Sequence, residues 1–306
     1  MTTPYPTGRS WAGLPRSTAF GLVTACYAVA GAAALVSAVL LRHHHPITVA
    51  FVADLVATVV IFALSMVLAN SSLYDPYWSV APPVVAIAWA AVAPDHLGSG
   101  ATARQWIVIA LVVIWAIRLT GNWAIGWHGL TQEDWRYIMM RDDTHGRLPW
   151  WLVSFVGIQL VPTLVVFAGL LPLWPVLGAP RHSFNALDVI AIVVTALAIA
   201  IETVADNQMR AFARNPENRG RTIDVGLWSR SRHPNYLGEI SMWCGLYLFA
   251  LAADPHWWWT IIGPAVMVLL FQTASIPMME TRSLQRRPDY ADYQRRVSKL
   301  LPLRWS

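Results

Sequence analysis

The chain has 306 residues, 56% of them hydrophobic and only 13% charged, whereas a soluble domain carries about 25% charged residues. With a mean hydropathy of +0.45, this composition excludes a water-soluble globular enzyme and describes an integral membrane protein. The net charge of +5 is gathered into short segments between apolar runs, which fits a membrane topology signal and not a nucleic-acid-binding face.

Residues 1–16, with three prolines and two glycines, read as a disordered cytoplasmic arm. Residues 17–306 read as one transmembrane domain. Apolar runs of spanning length follow at Ala19–Leu41, Ile47–Ala69, Tyr77–Ala93, Trp106–Ile125, Trp150–Leu171, Leu187–Asp206, Ile240–Ala252 and Trp257–Ile276. The expected fold is therefore all-α, a polytopic bundle of seven to eight helices. The third and seventh runs are short, and the last two read equally as one hairpin. Ala19–Leu41 is too long for the apolar part of a signal peptide and lacks a cleavage site.

Arginines mark one side of this bundle. Arg9 and Arg16 precede the first run, and Arg136, Arg141 and Arg147 follow the fourth. Arg210, Arg214, Arg219, Arg221, Arg230 and Arg232 follow the sixth, while Arg282, Arg286, Arg287, Arg295, Arg296, Lys299 and Arg304 follow the last. Eight crossings put all of these on one face, so both termini are expected in the cytoplasm of a cell with a bacterial inner membrane. The opposite loop Arg42-His43-His44-His45-Pro46 reads as a surface cap, since no Cys or carboxylate stands close enough to complete a metal site. No metal is expected. Cys26 and Cys244 fall inside apolar runs and read as small hydrophobes without a disulfide framework. Many of the 17 tryptophans stand at run ends, as Trp150-Trp151 and Trp257-Trp258-Trp259 do, which suits an interfacial belt.

Several membrane classes drop out. Lys299 is the only lysine and lies in the tail, so no retinal Schiff base forms within the bundle. Neither a G-x-G-x-x-G after a strand nor a P-loop is present. A transporter would show related halves with broken helices at mid-membrane, whereas the polar residues here gather at one face in four groups.

The first group is Asn70-Ser71-Ser72-Leu73-Tyr74-Asp75-Pro76-Tyr77-Trp78. Asp75 before Pro76 reads as a cap for the third helix, or as a carboxylate orienting Tyr74 as an acid. The second runs from Arg118 through Asn122 to Glu133-Asp134-Trp135-Arg136-Tyr137. Arg118 lies a turn inside the fourth run, where a cation needs an anionic partner; the later charges also fit a solvated helix. The third is Glu202, Asp206, Arg210 and Arg214, spaced by four along one helical stripe. That spacing suits successive ion pairs. It also suits carboxylates accepting from ribose hydroxyls or a carboxamide, with arginines holding phosphates. The fourth is the tail from Met279-Glu280-Thr281-Arg282 through Pro288-Asp289-Tyr290 and Tyr293 to Leu300-Leu301-Pro302, an amphipathic segment folded back on the cytoplasmic face.

Between the third and fourth groups stands Arg232-His233-Pro234-Asn235-Tyr236-Leu237-Gly238-Glu239. Pro234 suits the first turn of a helix, whose free N–H groups then face the arginine loop. Arg232 and His233 add donors outside that turn, and Asn235 and Glu239 share one face. A donor-rich helix mouth of this kind attracts a phosphate-bearing cofactor; a simple cap with positive-inside charge explains it equally.

In order, Tyr74-Asp75-Pro76-Tyr77-Trp78-Ser79, Glu133-Asp134-Trp135-Arg136-Tyr137, Ala205-Asp206, Gly226-Leu227-Trp228 and Arg232 to Glu239 resemble a bacterial branch of the steroid 5α-reductase family, over roughly residues 70–302. The resemblance implies NADPH as cofactor and reduction of a carbon–carbon double bond conjugated to a carbonyl. It matches Asn235 and Glu239 to the family's Asn-x-x-Gly-Glu motif, Asp206 to an acidic cofactor contact, Arg118 to an arginine of the fourth span and Arg221 to a loop arginine. Arg214 falls within one residue of another family arginine. Glu202 stands where Asn is usual, and Glu280, Arg282 and Arg286 align poorly with the family's tail contacts. The expected cofactor set is Arg118, Glu202, Asp206, Arg210, Arg214, Arg221, Arg232, His233, Asn235, Tyr236, Glu239 and Arg282.

One departure bears on the chemistry. Where the steroid enzymes carry a carbonyl-polarising Tyr, this chain has Trp115, which has no phenolic proton. Tyr74, oriented by Asp75, is the expected replacement. A donor aimed at the carbonyl oxygen stabilises charge that develops as hydride reaches the β-carbon. The expected substrate is small and apolar and enters from the bilayer, with membrane lipid as surroundings and no obligate protein partner. The alternative is an S-adenosylmethionine-dependent methyltransferase of the isoprenylcysteine carboxyl methyltransferase type, which carries a similar His-Pro-x-Tyr run and tail. The arginines between the sixth and seventh runs weigh against it.

Overall fold

The computed structural model describes residues 13–92, 99–144, 147–178 and 181–302. Most of the expected arm, including Arg9, lies outside them, as do Ala93 and Arg304. The described elements are helical: α1 (Arg16–Leu40), α2 (Pro46–Leu68), α3 (Tyr77–Ala91), α4 (Ser99–Gly126), α5 (Trp135–Thr144), α6 (Trp150–Leu170), α7 (Leu173–Leu177), α8 (Ala186–Arg214), α9 (Pro234–Ala253), α10 (Pro255–Arg286) and α11 (Tyr290–Arg296). Seven of these, α1, α2, α4, α6, α8, α9 and α10, are long and apolar enough to cross a membrane. The seventh apolar run is not short, because its helix starts six residues earlier, at Pro234. The third stays short: α3 has 15 residues and holds Pro82 and Pro83, which remove backbone donors from the helical ladder.

The chain divides into two compact units, Met1–Trp89 with Ala116–Phe167, and Ala90–Trp115 with Ala168–Ser306. In the first unit, α1 buries Ala19, Val23, Cys26 and Ala30, a stripe of small residues at helical spacing that lets α2 approach closely. Its other faces expose Val29, Leu35, Val36, Val39 and Leu40, as a lipid-facing helix does. α2 runs antiparallel to α6, with Phe62 against Phe155 and Phe51 against Phe167, and with Gln159 Nε2 donating to Ser65 Oγ at 3.0 Å.

Between α2 and α3 the chain makes a buried 3-10 turn, Ser71–Tyr74, capped by the Asn70 side chain. α3 then descends beside α2 until Trp89 Nε1 donates to the Pro46 carbonyl at 3.2 Å. The turn and helix together therefore return the chain to the level where α2 began. Arg16 donates to the carbonyls of Ala124 and Ile125 at the end of α4, at 2.6 and 3.2 Å. Within this unit, the start of α1, the Ser71–Tyr74 turn, the end of α4 and the start of α6 thus share one end. At the other end His45 caps α2, its Nδ1 accepting from the Ile47 N–H.

In the second unit α8 and α9 form the central pair. α8 opens with a capping box between Asn185 and Asp188, which satisfies backbone donors at both cap positions. Asp188 also receives Arg104 of α4 through two bonds of 2.6 Å, and both side chains are fully buried. The same guanidinium donates to the carbonyls of His182, Ser183 and Ala252, so the charge is paired and its donors are used. At the opposite end of this unit, α10 passes through a widened stretch at Phe271–Ser275 into the polar segment that carries the tail.

Candidate functional site

The second unit gathers the helix mouth. Gly238 lies where α9 crosses α8: a Cβ there would meet Glu202 Cβ at 2.7 Å and the Ala198 carbonyl at 2.8 Å. Only a glycine lets the first turn of α9 press on α8 at the buried Glu202. The stripe Glu202, Asp206 and Arg210 is thereby carried alongside Pro234 and Asn235. Pro234 occupies the first turn as expected, and no side chain caps it. Arg214 at the end of α8 and Arg219 and Arg221 on the connecting loop are exposed, and in that loop Gly220 and Gly226 adopt positive φ. Gly226 leaves room for the Gln208 amide, whose Oε1 accepts from the Leu227 N–H at 2.9 Å.

The tail closes over this loop. Thr222 donates from N–H and hydroxyl to Asp289 at 2.9 and 2.7 Å, which holds the Asp289 carboxyl below its ordinary value. Tyr293 donates to the Trp228 carbonyl at 2.6 Å, and the Arg232 N–H donates to the Ser298 carbonyl at 2.9 Å. The Arg232 guanidinium pairs with Glu280 at 2.8 Å and reaches the carbonyls of Gln294 and Val297. His233 Nε2 lies 3.1 Å from the same carboxylate, and its ring stacks on Tyr236. Arg232, expected in the cofactor set, directs its Nε and Nη1 donors at the tail. The expected fold-back of the tail is present. Arg282, two residues beyond Glu280, is half-buried in the same region of the chain.

Glu239 turns inward. Its two carboxylate oxygens accept from the indoles of Trp115 and Trp243, each at 2.9 Å. Trp115, read from sequence as a lost acid, is the hydrogen-bond partner of the motif's own glutamate. Arg118, one turn beyond Trp115, belongs to the first unit and is half-buried there.

In the first unit the turn after α2 is tied to the Glu133–Tyr137 segment. Glu133 accepts from the Ser71 N–H and from Arg141, at 2.9 and 2.6 Å. The Asp134 N–H donates to Ser72 Oγ at 2.7 Å, and Arg136 chelates the Asp134 carboxylate. Tyr137 donates to Asp75 at 2.5 Å. Burial and then the Asp134 charge push Asp75 up to about 7, against the Arg136 charge and the bonds from Tyr137 and Ser72. Asp75 therefore orients Tyr137 and not Tyr74, which corrects the sequence pairing. The Tyr74 hydroxyl lies 2.8 Å from Thr163 Oγ1, and its ring stacks on Tyr77.

The sequence reading passed over Asp54, a buried carboxylate inside α2 that accepts from the Tyr77 hydroxyl at 2.6 Å. A lone Asp in an apolar run is a signal in itself. Arg104 with Asp188 was missed too, and no local motif announces it.

A family described as Protein of unknown function (DUF1295) matches residues 61–297. An uncharacterized protein of Schizosaccharomyces pombe is 26% identical, over 84% of this chain and 80% of that relative. No solved structure matches the chain.

Proposed function

We propose that this chain, which belongs to the family described as Protein of unknown function (DUF1295), is a membrane-embedded, NADPH-dependent reductase of a carbon–carbon double bond conjugated to a carbonyl, in a lipid-like or steroid-like substrate. One observation supports this reading above the others. The crossing at Gly238 sets two acceptors, Glu202 and Asp206, beside an uncapped helix start and an arginine loop.

That donor and acceptor set fits a dinucleotide. Carboxylates suit ribose hydroxyls and a carboxamide, and exposed arginines suit phosphates. Asp206, Glu202 and Asn235 would hold the nucleoside part, and Arg210, Arg214 and Arg221 the phosphates. Arg232, His233 and Glu280 act on the loop by anchoring the tail to it. Bound NADPH supplies a hydride; the chain supplies orientation and a proton donor. Tyr74 is the donor assigned to the carbonyl oxygen. Asp75 has a separate task, fixing Tyr137 and so locking the Ser71–Asp75 turn to the Glu133–Tyr137 segment of the first unit.

We assign both termini and the three arginine-rich segments to the cytoplasmic side of a plasma membrane. The shared end of Arg16 and the Glu133–Arg141 segment in the first unit supports that assignment.

The test is direct binding by the purified full chain. NADPH should bind more tightly than NADH, and Asp206→Ala or Asn235→Ala should weaken binding while the thermal unfolding midpoint stays within a few degrees of wild type. Binding of S-adenosylmethionine with no measurable NADPH binding would transfer the same helix mouth to the methyltransferase reading.

A further inference from the structure

The loop between α8 and α9 touches the tail at several points along its length. Thr222 donates to Asp289 from its N–H and its hydroxyl. Tyr293 donates to the Trp228 carbonyl and, at 3.3 Å, to that of Ser231. The Arg232 N–H donates to the Ser298 carbonyl. Tyr290, Tyr293 and Val297 bury themselves against one another in a small apolar cluster of their own. α11 has seven residues, far fewer than a helix needs to be stable alone in water. Its docking therefore leans on polar bonds, and Arg232 supplies several of them.

The Arg232 guanidinium is held on two sides. Nε donates to Glu280 Oε1 at 2.8 Å, and Nη1 to the carbonyls of Gln294 and Val297 at 2.8 and 3.1 Å. Glu280 is itself fixed, because Gln294 Nε2 donates to its other oxygen at 3.0 Å and His233 Nε2 lies 3.1 Å from the shared one. Nη2 carries the remaining hydrogens. It has no hydrogen-bond partner among the described residues and is not sealed from the surface, since the side chain stays 11% exposed. An arginine that serves only as a staple looks different in this same unit. Arg104 is fully buried and spends Nε, Nη1 and Nη2 on protein acceptors. The open donor of Arg232 ends a loop that also carries the exposed Arg219 and Arg221, and such a concentration of positive charge attracts anions.

We propose that Arg232 couples the tail to a bound nucleotide. Nη2 takes a phosphate oxygen while Nε and Nη1 keep the tail, so that each is held more tightly when the other is present. The nucleotide's identity as NADPH rests on the reductase reading, whereas the coupling needs only a phosphate. A guanidinium is planar and rigid, so acceptors on Nε and Nη1 fix the direction in which Nη2 points. A phosphate oxygen then meets a donor that is already ordered, and Glu280 is a positioning residue for it. Linkage makes the effect mutual: a bound phosphate fastens α11, and its loss loosens α11. A carboxylate that competed with phosphate for Arg232 would act in the opposite direction, and the experiment reads that sign.

Hydrogen–deuterium exchange of the full chain in lipid nanodiscs, read by mass spectrometry, follows the tail directly. Saturating inorganic pyrophosphate or NADPH should slow exchange in residues 290–298 about two- to tenfold, while adenosine, which has no phosphate, should not. In Arg232→Lys, which keeps the positive charge but not the fork, the slowing should be lost. Glu280→Asp keeps the carboxylate and shortens its reach to Nε. It should weaken pyrophosphate binding about two- to tenfold and add nothing further in Arg232→Lys. That double variant separates positioning from a general loosening of the loop, which would weaken binding in both backgrounds alike. A wild type that binds no pyrophosphate, a tail whose exchange ignores bound pyrophosphate, or tighter binding by Glu280→Asp overturns the coupling. A wild type that responds to pyrophosphate but binds no NADPH keeps the coupling and defeats the reductase reading.

Discussion

Replacing Gly238 by alanine tests whether helix crossing builds the candidate cofactor site. The added Cβ would lie 2.7 Å from Glu202 Cβ and 2.8 Å from the Ala198 carbonyl, while ordinary contact begins at 3.4 Å. The difference, 3.4 less 2.7, requires α8 and α9 to part by about 0.7 Å at Glu202. A Cβ and a backbone carbonyl block the way, and neither rotates aside. Overpacking of this kind costs about 1–3 kcal/mol, offset in part by the roughly 1 kcal/mol helix preference of alanine over glycine. Gly121→Ala is the matched control, because nothing lies within 4 Å of its added Cβ and only the helix preference acts. Denaturant unfolding in detergent micelles, followed by circular dichroism, should place Gly238→Ala about 1–3 kcal/mol below Gly121→Ala. NADPH titration should show a dissociation constant raised about tenfold, the equivalent of roughly 1.4 kcal/mol. Equal stability of the two variants together with wild-type NADPH affinity would refute the idea that this crossing aligns Glu202 with Asn235.

Two further outcomes concern Asp75 and the membrane topology. Asp75 titrates near 7 in the fold against an ordinary 3.8, so the folded state holds its proton more tightly than the unfolded chain does. Stability should therefore fall as pH rises from about 4 to about 7 and level off above, and Asp75→Asn should remove that slope; a flat wild-type profile of unfolding midpoints over the interval contradicts the assignment. Reporter fusions after Arg141, after Arg219 and at the C-terminus should all report cytoplasm, and a periplasmic signal from any one breaks the eight-crossing topology.

The apolar runs were legible because a span announces itself over some twenty consecutive residues. The helix start at Pro234 and the stripe from Glu202 were legible for the same reason: both are local. Pairings across the chain were not. Tyr74 and Asp75 were read as partners because they adjoin, yet neighbours in a helical turn do not face each other. The partners they have, Thr163 and Tyr137, lie 89 and 62 residues away. Arg232 was read as a donor at the helix mouth because its position beside Pro234 is local, while Glu280 and the tail carbonyls that take its Nε and Nη1 donors are remote. Trp115 looked like a deletion of function because only the phenol it lacks was considered, not the indole N–H it has.

The clasp at Arg232 also sets an order of assembly. Its acceptors, Glu280, Gln294 and Val297, are synthesised 48, 62 and 65 residues after it. While α9 and α10 are being inserted, the nascent chain carries an open arginine loop with no tail to hold it. The helix mouth is therefore finished last, after translation has passed Val297. A chain cut short between α10 and α11 would keep Glu280 but lack Gln294 and Val297, leaving the arginine loop only partly fastened.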